Sequence, residues 1–449
     1  MTFTRVFFSV DPVSNRFGLC LRGGLSLVAG AGLLLVARGL TCYASDWPQY
    51  RGPQASGATP DKIPGTWPES GPPQLWKTPL NSGFSSFAVA GERAYTLVTR
   101  AIDGANRETC VALDVNTGQE VWAVPVAIAK YDGGGDSGAP GNNGGDGPRS
   151  TPAADATRAY VLSSALVLTC LDAQDGRVVW SKDLVKEHGA RNISWQNAAS
   201  PLIDGNLIFI CAGGDGQSLL CFHKGTGGLV WKGQSDRMTH ASPIAATILG
   251  HRQVIFFTQS GLVSVVPGTG QVLWRYAFPY RTSTAASPVV GGDMVFCSAG
   301  YGVGAGAVRI TQDGSQFKAT ELWRKPNQLM NHWSTSVYKD GHLYGLFGFK
   351  QWEQVPLKCI ELATGQEKWS HDGYGQGGVI LAGDRLVALA ESGDLVLVDA
   401  SSAAYRETAR AKAVTGKCWN SPALANGRVY ARSTKEGACL NVAAQVAAR

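Results

Sequence analysis

The sequence contains few side chains whose types and spacing would support catalysis. Its seven histidines show no metal-ligand spacing, and no serine lies in a Gly-x-Ser-x-Gly elbow. Residues 133–138 match Gly-x-Gly-x-x-Gly by letters, but no βαβ unit surrounds them, so we expect no dinucleotide site there. Asp132, Asp136 and Asp146 would suit Ca²⁺, yet a solvated loop is the commoner role of such residues. We therefore predict no metal site from these residues.

Side chains suited to ligand binding recur just before each first strand of the repeat described below. Trp333 and Trp419 would stack on a planar ligand or on the aromatic side chains of a peptide, and Arg149 would pair with a carboxylate. The alternative interpretation of these positions is a polar channel mouth that is filled by water and side chains and binds no ligand. The predicted ligand-binding set is Arg149, Asn197, His240, Trp333, Gln376 and Trp419, and Phe84 and Thr284 complete the series of eight mouth positions.

One sequence motif recurs along the chain and indicates the architecture. It begins with Ser/Thr-Pro and ends with Thr-Gly followed by hydrophobic-Trp, as in 225–231, 268–274 and 363–369. The closing aromatics recur about every 36 to 58 residues, the size of a four-stranded propeller blade of about 40–50 residues. The Thr-Gly pair predicts a hairpin turn, since Gly tolerates a positive φ. The closing residues are Trp76, Trp122, Trp180, Trp231, Trp274, Trp323, Trp369 and, in a degenerate copy, Tyr405.

The count of repeats predicts an all-β, eight-bladed propeller of four-stranded antiparallel blades over residues 74–449. The last repeat lacks a fourth strand, while residues 74–80 have a closing Trp but no preceding strands. We expect this early strand to complete the last blade, so that no edge is left open and deletion of 74–80 strongly destabilises the fold. Residues 45–73 are Pro-rich and should run extended over the surface, and the Gly-rich stretch 131–148 should be a loop between blades.

The cysteines fall mostly at equivalent repeat positions, which lie too far apart in a ring to be bridged. Cys110, Cys170, Cys221, Cys359 and Cys439 share one position. We expect them to be small buried apolar residues, with a Cys418–Cys439 bridge left open as an alternative.

The N-terminus resembles a targeting segment. An apolar run over 25–37 follows two arginines, and small residues at Cys42 and Ala44 would allow cleavage after Ala44. Residues 1–44 are therefore predicted to be a signal peptide of a protein exported to the periplasm or the cell exterior, with no transmembrane domain after cleavage. The alternative is a membrane anchor through residues 25–41. The net charge of +6 is scattered, which argues against a nucleic-acid partner, and we expect a monomer.

The Thr-Gly-x-x-x-Trp endings and Ser/Thr-Pro starts resemble the repeats of PQQ-like (pyrroloquinoline quinone-like) propellers. That group includes the quinoprotein alcohol dehydrogenases and the outer-membrane assembly lipoprotein BamB. The opening Asp46–Pro53, with the stretches 300–304 and 331–334, resembles secreted PQQ-like proteins of planctomycete-type bacteria. The resemblance covers about residues 46–442 and implies the fold, because one fold carries many functions.

A quinoprotein dehydrogenase would imply PQQ in the central funnel, Ca²⁺ held by oxygen ligands, an Asp base and often an adjacent Cys-Cys pair. No two cysteines are adjacent in this sequence, and none of the Ca²⁺ ligands is matched residue by residue. We therefore expect a non-catalytic binding or scaffolding module for a protein, peptide or small ligand, with no assigned cofactor. The alternative is a PQQ-dependent oxidoreductase or PQQ-binding protein using PQQ with Ca²⁺. A hydrolase would need paired carboxylates, which the mouth positions lack.

Overall fold

The computed structural model describes residues 46–130, 147–349 and 354–443. The predicted signal peptide over 1–44, the alternative anchor over 25–41 and most of the Gly-rich stretch 131–148 lie outside these residues. The described part contains 33 strands and one short helix, and its sheets are eight antiparallel blades of four strands. The predicted all-β, eight-bladed propeller is thus confirmed.

The first four blades follow two N-terminal strands, β1 (Ala58–Thr59) and β2 (Gln74–Pro79). Each blade runs from an inner first strand to an outer fourth strand. Their bounds are, for blade 1, β3 (Ala88–Ala90), β4 (Arg93–Ile102), β5 (Ala105–Asp114) and β6 (Glu120–Ile128); for blade 2, β7 (Ala153–Ala154), β8 (Arg158–Leu162), β9 (Val167–Asp172) and β10 (Val178–Asp183); for blade 3, β11 (Leu202–Asp204), β12 (Leu207–Gly214), β13 (Gln217–His223) and β14 (Leu229–Gly233); for blade 4, β15 (Ile244–Ile248), β16 (His251–Thr258), β17 (Gly261–Val265) and β18 (Val272–Ala277).

The last four blades repeat this order, and helix α1 (Leu184–His188) follows blade 2. Their bounds are, for blade 5, β19 (Val289–Gly291), β20 (Met294–Ala299), β21 (Gly304–Asp313) and β22 (Gln316–Lys325); for blade 6, β23 (Val337–Lys339), β24 (His342–Leu346), β25 (Leu357–Glu361) and β26 (Glu367–His371); for blade 7, β27 (Gly378–Ala382), β28 (Arg385–Leu389), β29 (Asp394–Asp399) and β30 (Glu407–Lys412); for blade 8, β31 (Ala423–Ala425), β32 (Arg428–Arg432) and β33 (Glu436–Asn441).

Strand β2 closes the ring, as the sequence predicts. It pairs antiparallel with β33 and places Trp76 opposite Cys439, so the N-terminal strand is the outer strand of blade 8. A buried arginine ties the same blade to blade 1, because Arg432 donates to Thr96 Oγ1 at 2.7 Å and to the Leu97 carbonyl at 2.9 Å. The ring is therefore closed both by the pairing of β2 with β33 and by the buried guanidinium of Arg432, which donates hydrogen bonds to blade 1.

Most of the repeat tryptophans join their blade to the next one. The ring of Trp76 lies on the Thr-Gly turn of blade 1, and its Nε1 donates to the Val115 carbonyl at 3.0 Å. A Cβ added to Gly118, whose φ is +69°, would lie 2.6 Å from that ring. The turn therefore needs glycine both for its backbone and for the Trp of the preceding blade. The same contact joins Trp122 to Gly176, Trp180 to Gly227, Trp231 to Gly270 and Trp323 to Gly365.

The coupling changes where a blade lacks a Thr-Gly turn. Trp274 of blade 4 faces the long β21–β22 hairpin of blade 5 and donates instead to Gln253 Oε1 of its own blade at 2.8 Å. In blade 7 the position that the other blades fill with a Trp is held by Ala409, which lies opposite Leu397. Our assignment of Tyr405 as the closing aromatic was therefore wrong. Blade 8 takes its outer strand from the N-terminus, so it has no hairpin turn to receive a Trp.

A second coupling runs around the channel through the Ser/Thr-Pro starts. The backbone N–H of one blade donates to the hydroxyl of the next, at 2.9 Å from Ser86 to Thr151, 2.9 Å from Thr151 to Ser200 and 2.8 Å from Ser200 to Ser242. Ser287 continues the series by donating its N–H to Thr335 Oγ1 at 2.9 Å. We call these the staple hydroxyls. The proline of the motif indicates the start of a strand, whereas its Ser or Thr accepts a hydrogen bond that joins two blades.

The N-terminal segment differs from our expectation of an extended course over the surface. Residues 46–59 contact the inner strands, and much of this stretch is made of turns. Trp47 pairs with Val89 of blade 1 through hydrogen bonds of 2.9 and 2.8 Å, and β1 pairs parallel with β27 of blade 7. Arg51 is buried and donates to the Thr335 and Ser336 carbonyls of blade 6 at 2.9 and 2.7 Å. This segment connects blades that are distant in sequence.

The eight cysteines of the described residues are all free and buried. The Cys418–Cys439 bridge is therefore not formed. Cys170, Cys221, Cys359 and Cys439 each lie opposite a repeat Trp, as expected of one repeat position. The fifth cysteine was misaligned, because Trp122 lies opposite Ala112, two residues after Cys110.

Replacing Gly118 with Ala should cost far more stability than the same change at Gly91. Both glycines have positive φ, +69° and +56°, but only Gly118 lies under a Trp ring, since a Cβ at Gly91 meets nothing within 4 Å. We expect Gly91→Ala to lower the free energy of unfolding by about 1–2 kcal/mol and Gly118→Ala by at least about 3 kcal/mol, because overpacking adds to the backbone strain. Urea unfolding measures both, and equal losses would contradict the Trp contact.

Candidate functional site

Four aromatic rings lie across the channel mouth, and we call Phe84, Trp419, Trp333 and Phe349 the aromatic row. Successive rings are stacked with centroid distances of 5.2, 5.3 and 5.5 Å and interplanar angles of 17°, 26° and 26°. These are distances of direct stacking, so no further planar group fits between neighbours. Phe84 and Trp419 are buried, while Trp333 and Phe349 are partly exposed.

Polar contacts hold the row in place. Trp419 Nε1 donates to Glu391 Oε1 at 2.6 Å, and Lys417 Nζ lies 4.8 Å from the centre of the Trp419 ring system, a cation–π distance. The turn that carries Trp333 is fixed by Asn331, which donates to the Leu346 carbonyl at 2.8 Å and accepts the N–H of Ser336 at 3.0 Å. The buried amide therefore positions an indole that the repeat itself does not require.

A cavity of about 80 Å³ lies beneath the row. Arg149, His240 and Asn420 contribute polar side chains to its wall, together with several staple hydroxyls and Tyr50 of the N-terminal segment. By the rule that a water needs about 10–15 Å³, this space holds a few waters or one small solute. The residues lining it are Tyr50, Phe84, Ser86, Arg149, Thr151, Ala198, Ser200, His240, Ser242, Ala285, Trp333, Trp419, Asn420 and Ser421.

The cavity brings together four of the six predicted ligand-binding residues, Arg149, His240, Trp333 and Trp419. The lining residue of each blade stands two positions before its staple residue, as Arg149 stands before Thr151. By this alignment the lining residue of blade 3 is Ala198, so Asn197 was placed one residue too early. The buried Asn197 amide instead bonds within its own turn, donating to the Ala199 carbonyl at 3.0 Å. The same shift replaces Thr284 by Ala285 in blade 5.

Gln376 does not line the cavity, although it stands at the corresponding position of blade 7. It is buried, and its backbone N–H donates to Glu391 Oε2 at 3.1 Å. Glu391 also accepts a hydrogen bond from Trp419 Nε1. Sequence reasoning missed Tyr50, Asn420 and Phe349. Of these three, Asn420 could have been noticed in the sequence, because it is the only large residue among the eight that directly precede a staple position.

His240 is buried and neutral. Its Nε2 lies 3.0 Å from the Ser194 carbonyl, which requires an N–H there, so Nδ1 accepts the hydroxyl hydrogen of Ser283 at 2.8 Å. Burial, and secondarily the charge of Arg149, lowers the pKa of His240 to about 4. Arg149 itself donates from Nη1 to the Trp195 carbonyl at 2.6 Å. Among the described residues that line the cavity, Arg149 is the one whose side chain is charged at neutral pH.

Comparison with known families settles the relationship suggested by the repeat. The profile of the family described as outer membrane protein assembly factor BamB matches residues 106–344, more than half of the chain. The chain belongs to this family. No curated protein sequence matches it. Within the three described stretches of this BamB-family chain, no helix is long and apolar enough to cross a membrane.

Solved structures share the fold of this BamB-family chain at low identity. BamB from Moraxella catarrhalis is 14% identical with a TM-score of 0.55, over 82% of this chain and 96% of that one. The quinohemoprotein alcohol dehydrogenase from Comamonas testosteroni is 14% identical with a TM-score of 0.61, over 89% and 80%. Quinohemoprotein alcohol dehydrogenase ADHIIG from Pseudomonas putida HK5 is 11% identical with a TM-score of 0.59, over 91% and 81%. These likenesses concern the fold alone.

The cavity does not fit a quinone with Ca²⁺. Pockets for ligands of that size are about 300–1,000 Å³, against about 80 Å³ here. None of the described residues that line the cavity has a carboxylate, whereas Ca²⁺ takes six or more oxygen ligands, usually including carboxylates. In the described residues no group of three or more His, Cys, Asp or Glu side chains is arranged to hold a metal ion. Trp333 and Trp419 also stack on each other, where a quinone would need an open ring face.

Removing the imidazole of His240 should remove part of the acid sensitivity of the fold. Since its folded pKa is about 4, below the ordinary value of 6.5, the unfolded chain binds the proton more tightly. The neutral ring therefore favours folding fully above pH 6.5, and this stability is lost as the pH falls from 6.5 to 4, by roughly 3 kcal/mol in total. Urea unfolding of wild type and His240→Gln should show a difference that shrinks over that range.

The matched control is His251→Gln, which changes an exposed histidine of β16. It should leave the pH dependence of unfolding as in the wild type. A wild-type minus His240→Gln difference that stays constant from pH 7 to pH 4 would show that His240 titrates normally in the folded chain.

Proposed function

We propose that this chain is an exported, non-catalytic binding module that receives a protein or peptide partner on its aromatic row. The observation that carries the proposal is the row itself. Trp333 and Phe349 are both partly exposed and stack on each other at 5.5 Å, so two large aromatic rings lie together at the mouth. Aromatic side chains, with arginine, are the residues enriched where binding energy concentrates in protein interfaces.

The construction of the mouth supports recognition rather than turnover. The row is rigid, since each ring stacks on the next and Trp419 is hydrogen-bonded to Glu391. A rigid surface loses little entropy on binding. Exposed Arg281 donates to the Tyr301 carbonyl, and the Tyr301 ring contacts Phe349 of the row at 4.4 Å, so a partner with aromatic and acidic residues suits this surface. The described lining residues include no pair of carboxylates for acid–base hydrolysis.

Export to the periplasm or the cell exterior belongs to the same proposal. Its support is the N-terminal pattern, a basic start followed by an apolar run and small residues before position 45. The membership of the BamB family agrees with a role in contacts with other proteins at the cell envelope, a step that rests on analogy within the family.

Selection of peptides from a random display library on the purified protein tests the proposal. We expect enriched peptides to contain aromatic and acidic residues and to quench the fluorescence of Trp333 with micromolar affinity. Trp333→Ala and Phe349→Ala should each weaken binding at least tenfold, because they remove the exposed faces of the row. The matched control is Leu249→Ala, which removes an exposed apolar side chain on the β15–β16 turn. Peptides that bind equally to all variants would place the partner surface elsewhere.

A titration with PQQ and Ca²⁺, followed by dye-linked alcohol oxidation, tests the alternative function. We expect no saturable binding up to about 100 μM because the cavity, at about 80 Å³, is too small and its described lining residues include no carboxylate. Saturable binding with turnover would overturn the non-catalytic proposal and favour a PQQ-dependent oxidoreductase. Binding without turnover would instead identify a PQQ-binding protein.

A further inference from the structure

The N-terminal segment pairs with the channel-facing edge of the inner strand in four blades. Within its blade each inner strand has a neighbour on one side only, so its other edge faces the channel. In blades 1, 2, 3 and 7 the backbone N–H three residues after the staple residue donates across this edge to the N-terminal segment. The donors are Val89, Ala154, Ile203 and Leu381, and their acceptors are the Trp47 carbonyl, the Pro48 carbonyl, the Gln49 side-chain amide and the Gly57 carbonyl, at 2.6 to 2.8 Å.

Blades 4 and 5 lack this partner. Ala245 and Val290 stand at the same position, three residues after Ser242 and Ser287. Among the described residues, no group outside their own blades accepts a hydrogen bond from their N–H groups. Because backbone groups alternate along a strand, Thr247 presents its N–H to the same side as Ala245. The inner edge of β15 therefore offers a row of backbone groups to another chain.

The length of β15 sets it apart from most inner strands. Strands β15 and β27 have five residues each, whereas the six other inner strands have two or three. The edge of β27 is covered by β1 of the N-terminal segment, and within the described part of the chain no strand is added to β15. The fold thus contains two long inner edges, one of which is already extended by an added strand.

A groove of about 490 Å³ runs along the edge of β15. Its walls are formed by β15, by β19 and by part of the stretch 51–58, and they include the apolar side chains of Ile244, Val289 and Val290. This volume lies within the range of about 300–1,000 Å³ that is usual for ligand pockets, so a short extended segment fits. The groove shares no described lining residue with the cavity beneath the aromatic row.

The groove also carries positive charge. Its described lining residues include two arginines and no Asp or Glu. Arg252 is paired with Asp204 at 2.6 Å. Arg51 is 2% exposed, donates only to three carbonyl oxygens among the described residues, and has no partner at Nε. Carbonyl oxygens do not neutralise a guanidinium, so an acidic side chain in the groove is favoured electrostatically.

We propose that the inner edge of β15 binds an extended segment of a partner protein by strand addition, with small apolar side chains in the groove and one Asp or Glu toward Arg51. The chain's own N-terminal segment makes the corresponding contact on four other blades, which supports this mode of binding. In strand addition the backbone hydrogen bonds supply affinity and the alternate side chains supply selectivity. This site is separate from the aromatic row.

Calorimetric titration of the purified protein with the acetylated, amidated peptide Val-Asp-Val-Thr-Val tests the proposal. We expect saturable binding with a dissociation constant of about 100 μM or below. N-methylation of one alternate set of peptide residues should abolish binding and methylation of the other set should not, because only alternate N–H groups of an added strand face β15. Replacing the Asp of the peptide by Asn should weaken binding about threefold through the lost attraction to Arg51.

Variants of the protein locate the site. Ala246 is partly exposed and lines the groove, so Ala246→Trp should fill the groove and weaken binding at least about tenfold. The matched control Leu249→Trp, at an exposed turn position outside the groove, should not. Ala245→Pro removes an edge N–H at a position where proline is tolerated, and should also abolish binding. If Ala245→Pro does not fold, Ala246→Trp and the methylated peptides decide.

Two readouts separate this site from other occupants and from the proposed function. The peptide should slow hydrogen exchange in residues 243–249, and Phe349→Ala, which alters the aromatic row, should leave its binding unchanged. No saturable binding, equal binding by wild type and Ala246→Trp, or unchanged exchange in residues 243–249 would overturn the proposal. Self-association of the protein that Ala246→Trp abolishes would also overturn it, by assigning the edge to a second copy of this chain.

Discussion

The interaction on which the ring depends is the contact between one blade and the next, which most blades make through a Trp ring, a staple hydroxyl or both. Near the axis a backbone N–H of one blade donates to the staple hydroxyl of its neighbour, as Ser86 does to Thr151. Near the rim a Trp ring lies on the neighbour's Thr-Gly turn, as Trp76 does on Gly118. A blade alone cannot bury its two faces, so these contacts set the stagger between sheets, and with it the place of every side chain at the mouth.

This constraint also explains how far the sequence predicts the structure. The spacing of the tryptophans predicts the blades and the closing strand, because turn chemistry and packing repeat together. It assigns Tyr405 as a closing aromatic and Asn197 as a mouth residue, and both assignments are wrong. A motif with one substituted or extra residue aligns equally well in two registers. The staple hydroxyl of Ser200 identifies Ala198, and not Asn197, as the lining residue of blade 3. Its hydrogen bonds join neighbouring blades, so they are seen only in the structure.

The N-terminal segment could not be predicted for another reason. Residues 46–59 contain prolines and glycines and show no period, which is typical of a surface linker. Their burial depends on partners far along the chain, such as the carbonyls that accept from Arg51, and burial lowers the pKa of its guanidinium to about 10. The size of Asn420 is a signal in the sequence, but only the structure shows that its amide has no hydrogen-bond partner among the described residues.

The two ends of the chain meet in one blade, and this has a consequence for the order in which the molecule folds. Strand β2 is made early but pairs with β33, and β1 pairs with β27, so both early strands must wait for partners made several hundred residues later. Contacts of such long range are formed slowly. During synthesis strands β1 and β2 therefore remain without their partners, and the ring can close only after strand β33 has been made.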